Sequence, residues 1–293
     1  MEEKIEILSV ELLDRCRPHV NALKRLAQSL RLEFGWHYLL DLTWILSQLG
    51  PADGKHIMDA GAGTGVLQWY LAQQGAEVIS VDRSSRAALP LRFRTRFRVQ
   101  GWRKSDLIPS RKVFRENFSR KTRWSIKLKS QAREVIGLAR PPTGAGRVFI
   151  YNHDLLDLPD IQDNSLDAVV AVSALEHNPP ADLEKVTGEL LRVLKPGGVL
   201  VASLNAARDQ DWWHAPSSGW CYTDASLRRI FGLSADVPSN YDCYDQLFST
   251  LLNCTELREG LAQFYFRSGN NGMPWGKWDP KYQPVGVLKI KKG

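Results

Sequence analysis

Apolar residues recur along the first fifty positions at the three- and four-residue spacing of buried helix faces. Leu12, Val20, Leu23 and Leu30 form one set, and Leu39, Leu42, Ile45, Leu46 and Leu49 form a second. Gly35 separates the two predicted helices, and Gly50-Pro51 with Asp53-Gly54 end the second. From Lys55 onward the pattern changes to short apolar runs alternating with helical stretches. Lys55-His56-Ile57, Glu77–Asp82, Arg147–Tyr151, Leu166–Val172 and Val199–Leu204 read as strands. Leu166–Val172 is apolar enough to be buried on both faces, which makes it central. Helices are expected at Leu67–Ala72 and from about Ala181 to Leu194. Strands alternating with helices predict an α/β fold around a parallel sheet.

One connection breaks this rhythm. A crossover between parallel strands needs a dozen or more residues, yet the stretch from Ser84 to about Gly146 is several times longer. Within it, Leu91–Val99 alternates strictly between apolar and basic positions, which predicts a strand with arginines on one face. From Arg111 to Leu138 the pattern turns helical and stays basic, and Pro141-Pro142-Thr143 with Gly144-Ala145-Gly146 returns the chain to the sheet.

Charge sharpens the picture of this insert. The chain carries a formal net charge of +7. From Arg83 to Arg147 there are 19 Lys and Arg against three acids (Asp106, Glu116, Glu134), a local net of +16, so the remainder stands at −9. Two readings stay open: a docking surface for an anionic partner, whether polyanion or membrane surface, or neutralisation of the chain's own acidic remainder. The rest of the composition is that of a globular protein, with 43% hydrophobic residues and mean hydropathy −0.30. No apolar run approaches the roughly 20 residues of a bilayer span, and Met1-Glu2-Glu3-Lys4 lacks the build of a secretion signal. Cys16, Cys221, Cys243 and Cys254 are scattered without metal-ligand spacing, so no metal is expected. A cytoplasmic enzyme is the expectation.

The candidate chemistry begins at Asp59-Ala60-Gly61-Ala62-Gly63-Thr64-Gly65, a glycine turn between the first core strand and its helix. Such a turn lets a ligand approach bare backbone at a helix N-terminus. The dinucleotide fingerprint is disfavoured, because Val66 stands where its last glycine belongs and Asp59 would face a pyrophosphate. A second acid, Asp82, ends the next strand, where a carboxylate can take two ribose hydroxyls. With Leu166-Asp167-Ala168-Val169-Val170, then Glu176-His177, then Leu194-Lys195-Pro196-Gly197-Gly198, the chain resembles the class I S-adenosylmethionine-dependent methyltransferases from about Lys55 to Asn205, apart from the insert. That resemblance implies a Rossmann-like, seven-stranded α/β sheet completed by a hairpin of Ala262–Phe266 with Val285–Ile290. The expected organisation is a helical cap over residues 1–54 and a methyltransferase domain over 55–293, with the basic insert at about 84–146.

The resemblance also implies S-adenosyl-L-methionine as cofactor, contacted by Asp59, Gly61, Gly63, Gly65, Asp82 and Ser173. Asp154 would stand at the adenine amino group, with Asp157 and Asp160 as nearby competitors for that place, and Leu155 would offer its backbone N–H to the ring. N-terminal helices of the family close over the cofactor, which sets Trp36, His37 or Tyr38 against it, or else makes them an aromatic anchor. A sulfonium methyl is already activated, so alignment is the main task, and a base matters only if the acceptor must lose a proton. His177 is the expected base, with Glu176 orienting it or touching substrate; a structural or cofactor-shaping role stays open for both. Asn178-Pro179-Pro180-Ala181 lacks the aromatic residue of a base-flipping motif and reads as a helix start. Expected function is methyl transfer to a small or lipid- or saccharide-linked acceptor, most simply at oxygen. The alternatives are transfer to RNA or another polyanion docked on the insert, and a non-catalytic cofactor-binding protein.

Overall fold

The computed structural model describes residues 2–119, 144–267, 269 and 272–293. Two compact units divide it, one formed by Met1–Gly50 with Leu155–Gly293 and the other by Pro51–Asp154.

In the second unit β2 (His56–Ala60) pairs in parallel with β3 (Glu77–Asp82), and β3 in parallel with β5 (Arg147–Asn152). Beyond β5 lies β4 (Arg98–Gly101), also parallel and drawn from the basic insert. The helix Leu67–Gln73 turns its buried Trp69 away from solvent onto the rings of Phe93 (centroids 4.8 Å apart) and Phe97 (4.9 Å). This contact overturns one expectation: Leu91–Arg96 is helical, and only Arg98–Gly101 is a strand. A four-residue spacing such as Phe93 to Phe97 suits one face of a strand and one face of a helix equally, and here Trp69 selects the helix. Arg94, read as one of a row of exposed arginines, instead donates to the carbonyls of Leu89 (3.0 Å), Ala87 (2.7 Å) and Ile108 (2.5 Å). The helix expected from Arg111 is formed over Ser110–Ser119; its continuation to Leu138 and the Pro141-Pro142-Thr143 turn lie outside the described residues.

In the first unit the strands run β1 (Lys4–Ile7), β10 (Gln283–Ile290), β7 (Leu194–Ala206), β6 (Leu166–Val172). β1 and β7 are antiparallel to β10, and β6 is parallel to β7. Two short strands, β8 (Trp212–His214) and β9 (Gly219–Tyr222), extend this arrangement through β7. The expected hairpin partner of β10 is therefore corrected: Gln263–Phe266 is a 3-10 turn, and β1 flanks β10 instead. The in–out alternation of Phe264, Tyr265 and Phe266 mimics a strand, but it arises because Tyr265 alone turns inward, its hydroxyl accepting the backbone N–H of Trp36 at 3.1 Å. The expected N-terminal helices form over Arg17–Leu30 and Tyr38–Leu49, and β1 precedes them. Pro180 opens the helix Pro180–Val193, with Pro179 at its cap, as expected.

The helix Tyr38–Leu49 lies on β6, β7 and β10 with almost every side chain buried. Its Trp44 ring occupies the space that a side chain at residue 286 would need: a Cβ on Gly286 would stand 2.5 Å from the indole. Gly286→Ala is expected to cost about 1–3 kcal/mol of unfolding free energy through overpacking. A urea midpoint equal to that of the wild type would show that Trp44 can move aside.

Candidate cofactor loop and acceptor pocket

The glycine turn follows directly from β2. Gly61 (φ +73°) and Gly63 (φ +46°) take left-handed backbone conformations that a β-carbon disfavours, and neither places a side chain of its own over the turn. Asp82, at the tip of β3, is already tied to this turn. One carboxylate oxygen accepts the Gly63 N–H at 2.8 Å and the other accepts the Ser84 N–H at 2.7 Å. Each oxygen retains a second lone pair and can accept a further hydrogen bond.

Beneath the turn lies a polar network that sequence reasoning missed. Arg86 is buried and donates to the carbonyls of Ser80 (2.6 Å), Tyr151 (3.1 Å) and Gly63 (3.3 Å), and to the Ser80 hydroxyl. Gln68 donates to the Gly65 carbonyl at 3.1 Å and accepts the Ser80 hydroxyl at 2.6 Å. The one available signal was a glutamine in an otherwise apolar helix; Arg86 was hidden among the insert's other basic residues. Asp59 is buried as well, and burial pushes its carboxyl up to about 7, against the pull of the Arg86 guanidinium; the charge of Asp82 adds to the rise. Asp154, just past β5, is exposed, and Leu155, which follows it, is buried.

The first unit holds the other predicted residues. Ser173, directly after β6, has φ +44°, and its N–H reaches the Ser203 carbonyl at 3.1 Å. Its hydroxyl donates to Glu176. Glu176 sits in the 3-10 turn Leu175–His177; burial holds its carboxyl above the ordinary value, and its second oxygen is buried without a hydrogen-bond partner. His177 is exposed and its Nδ1 lies 2.7 Å from the Ser218 carbonyl. A carbonyl can only accept, so Nδ1 carries the proton and Nε2 of the neutral ring is a free acceptor. Ser173, Glu176 and His177 line one cavity of about 340 Å³, whose walls include Trp36, Tyr265 and Tyr282. Between β8 and β9, Pro216 and Ser217 reach this cavity, whereas Trp213 on β8 is exposed to solvent.

A family model described as a methyltransferase domain matches residues 116–202, a span that begins beyond the glycine turn. A phosphoethanolamine N-methyltransferase from Haemonchus contortus, solved with phosphomonomethylethanolamine and S-adenosylhomocysteine, superposes with a TM-score of 0.53. It is 17% identical, and the superposition covers 96% of this chain and 59% of that one. The chain shares the fold of the class I S-adenosylmethionine-dependent methyltransferases. The (4+2)-cyclase SpnF shares the fold at a TM-score of 0.50, with 15% identity over 99% of both chains. A ubiquinone biosynthesis O-methyltransferase from Leptothrix cholodnii is 40% identical over 48 residues, 16% of this chain. That match spans only a fifth of the curated relative's length. Among the described residues, no helix is long and apolar enough to cross a membrane, and no cluster of His, Cys, Asp and Glu is arranged to hold a metal.

The buried Asp59 has a pH signature. Its folded value of about 7 lies above the ordinary 3.8, so its contribution to stability is complete below about pH 4 and is lost as pH rises through 7. Wild-type protein should lose on the order of 3–4 kcal/mol across that window. Asp59→Asn should show no such loss. A stability difference between the two proteins that stays constant from pH 4 to 8, followed by urea denaturation, would contradict protonation of Asp59 in the fold.

Proposed function

We propose that the protein transfers the methyl group of S-adenosylmethionine to a small, uncharged, ring-bearing hydroxyl compound held in the cavity of the first unit. The residues fit the cofactor: the bare backbone of Gly61 and Gly63 admits it, Asp82 accepts its ribose hydroxyls, and a carboxylate beside the turn suits a molecule with no phosphate. Bound there, the cofactor supplies a methyl group on a positively charged sulfur, activated without help from the protein. Asp154 and Leu155 are proposed for the adenine ring and Ser173 for the amino-acid end.

The observation that carries the acceptor class is the composition of the cavity wall. Trp36, Tyr265 and Tyr282 present ring faces and edges suited to a flat acceptor. Glu33 and Glu176 supply the acidic groups, while no Lys or Arg lines the cavity among the described residues. An anionic acceptor would meet carboxyl groups and no counter-charge. His177 Nε2 and the unpartnered oxygen of Glu176 are the groups that would orient a hydroxyl. The curated relative, itself an O-methyltransferase by name, agrees with transfer to oxygen.

Transfer to a polyanion docked on the basic insert is the weaker reading. In the described part of that insert Arg86, Arg94, Arg98 and Arg103 all donate to groups of the protein itself. A shared fold does not fix activity, and the likeness to SpnF makes a different reaction on the same cofactor-binding frame the second reading to test.

Calorimetric titration with S-adenosylmethionine should give one site per chain, and Asp82→Ala should weaken it at least tenfold, the scale of one lost charge-assisted hydrogen bond. Methyl-labelled cofactor incubated with the enzyme and a cell extract should label a small neutral product. Labelled RNA, protein or an acidic metabolite would overturn the acceptor assignment.

A further inference from the structure

Three polar residues of the cavity region belong to a chain of hydrogen bonds that the assigned residues do not include. Asp41, on the helix Tyr38–Leu49, is wholly buried. Its Oδ2 lies 2.6 Å from Nδ1 of His37, the residue at that helix's N-terminal cap, which is itself only 3% exposed. His37 Nε2 in turn lies 3.4 Å from the hydroxyl of Tyr282. His37 and Tyr282 both line the 340 Å³ cavity, and Asp41 stands behind them.

With the carboxyl ionised and the ring neutral, these partners fix the protons. An ionised carboxylate only accepts, so His37 Nδ1 carries a hydrogen and donates it to Asp41. Nε2 of the neutral ring then holds a lone pair facing the cavity, and the Tyr282 hydroxyl donates to it. The 3.4 Å separation is long for this kind of bond, which leaves Nε2 weakly engaged and open to a better donor. His177 differs in one respect that matters. Its Nδ1 proton is held by the neutral Ser218 carbonyl, whereas that of His37 is held by a carboxylate. A carboxylate stabilises the imidazolium that forms when the ring takes a proton; a carbonyl does so less.

We propose that His37, positioned by Asp41, is the general base for the acceptor hydroxyl. As the acceptor oxygen takes the methyl group and the carbon–sulfur bond breaks with its electron pair left on sulfur, the hydroxyl proton passes to His37 Nε2. The imidazolium so formed donates to Asp41 until it releases the proton to solvent. Asp41 is a positioning residue and Tyr282 guides the incoming hydroxyl to Nε2. The ionisable groups facing His37 are Asp41 on its own helix, Glu176 on the 3-10 turn, and the phenols of Tyr38 and Tyr282. The assignment rests on the reading of this cavity as the acceptor site.

The experiment uses the full chain with 15N-labelled histidine, saturated with S-adenosylhomocysteine, and phenol as the probe acceptor. His37 should show the tautomer protonated at Nδ1, and phenol should shift its Nε2 resonance more than that of His177. In Asp41→Asn the phenol response of His37 should shrink, with the thermal midpoint close to wild type. His37 protonated at Nε2 instead, or a phenol response confined to His177, would overturn the assignment. Once a labelled product identifies the acceptor, His37→Gln should lower kcat by about 100-fold or more with cofactor affinity unchanged, and His177→Gln by less than tenfold; the reverse order would also overturn it. Calorimetry on the same samples separates the two readings, because loss of cofactor binding in the wild type would sink the proposed function and leave the tautomer result standing.

Discussion

A guanidinium withdrawn from water holds the glycine turn in shape. Arg86 cannot be buried without partners, because an unpaired buried charge is far costlier than the contacts it displaces. Its partners are backbone carbonyls of β3, of β5 and of the turn itself. Through them a single side chain ties together β3, β5 and the glycine turn. The same charge makes the burial of Asp59 tolerable, and Asp82 then fastens the turn from the other side through Gly63. A turn composed of glycines would otherwise have many conformations open to it; here hydrogen bonds to its backbone supply the order that its own side chains lack.

The cavity of the first unit obeys the opposite logic. Its rings are rigid, and its few polar groups are each committed on one side and open on the other. The Ser173 hydroxyl satisfies one oxygen of Glu176, the Ser218 carbonyl fixes one nitrogen of His177, and Asp41 fixes one nitrogen of His37. One-sided satisfaction of this kind sets the direction of each remaining lone pair before a ligand arrives, which is where preorganisation comes from.

The central strands were legible because buried strands need continuous apolar runs, and Leu166–Val172 is recovered with both of its ends, whereas β1, β8 and β9 were not. The glycine turn was legible because so few residues tolerate its backbone. What was lost shares a cause: the information lay in a partner distant along the chain. Leu91–Arg96 is helical because Phe93, with Phe97 just past the helix, packs on Trp69, and Gln263–Phe266 is a turn because β1 occupies the place beside β10. Asp41 was invisible for a similar reason. Its position within a helix of leucines carries no sign of a partner, and only the ring of His37 makes its burial intelligible.

The packing of Trp69 on Phe93 and Phe97 changes what the basic insert is. A long connection between two strands invites the view of a module added to a finished core, to be trimmed or exchanged at will. Yet the first part of this one supplies the cover of an indole on the helix that follows the glycine turn, contributes β4, and lays Arg103 over the ring of Tyr151. Residues 84–103 are thus part of the core's own architecture. A shortened form of the chain that keeps the turn intact has to be cut later than the sequence boundary suggests, beyond the helix Ser110–Ser119.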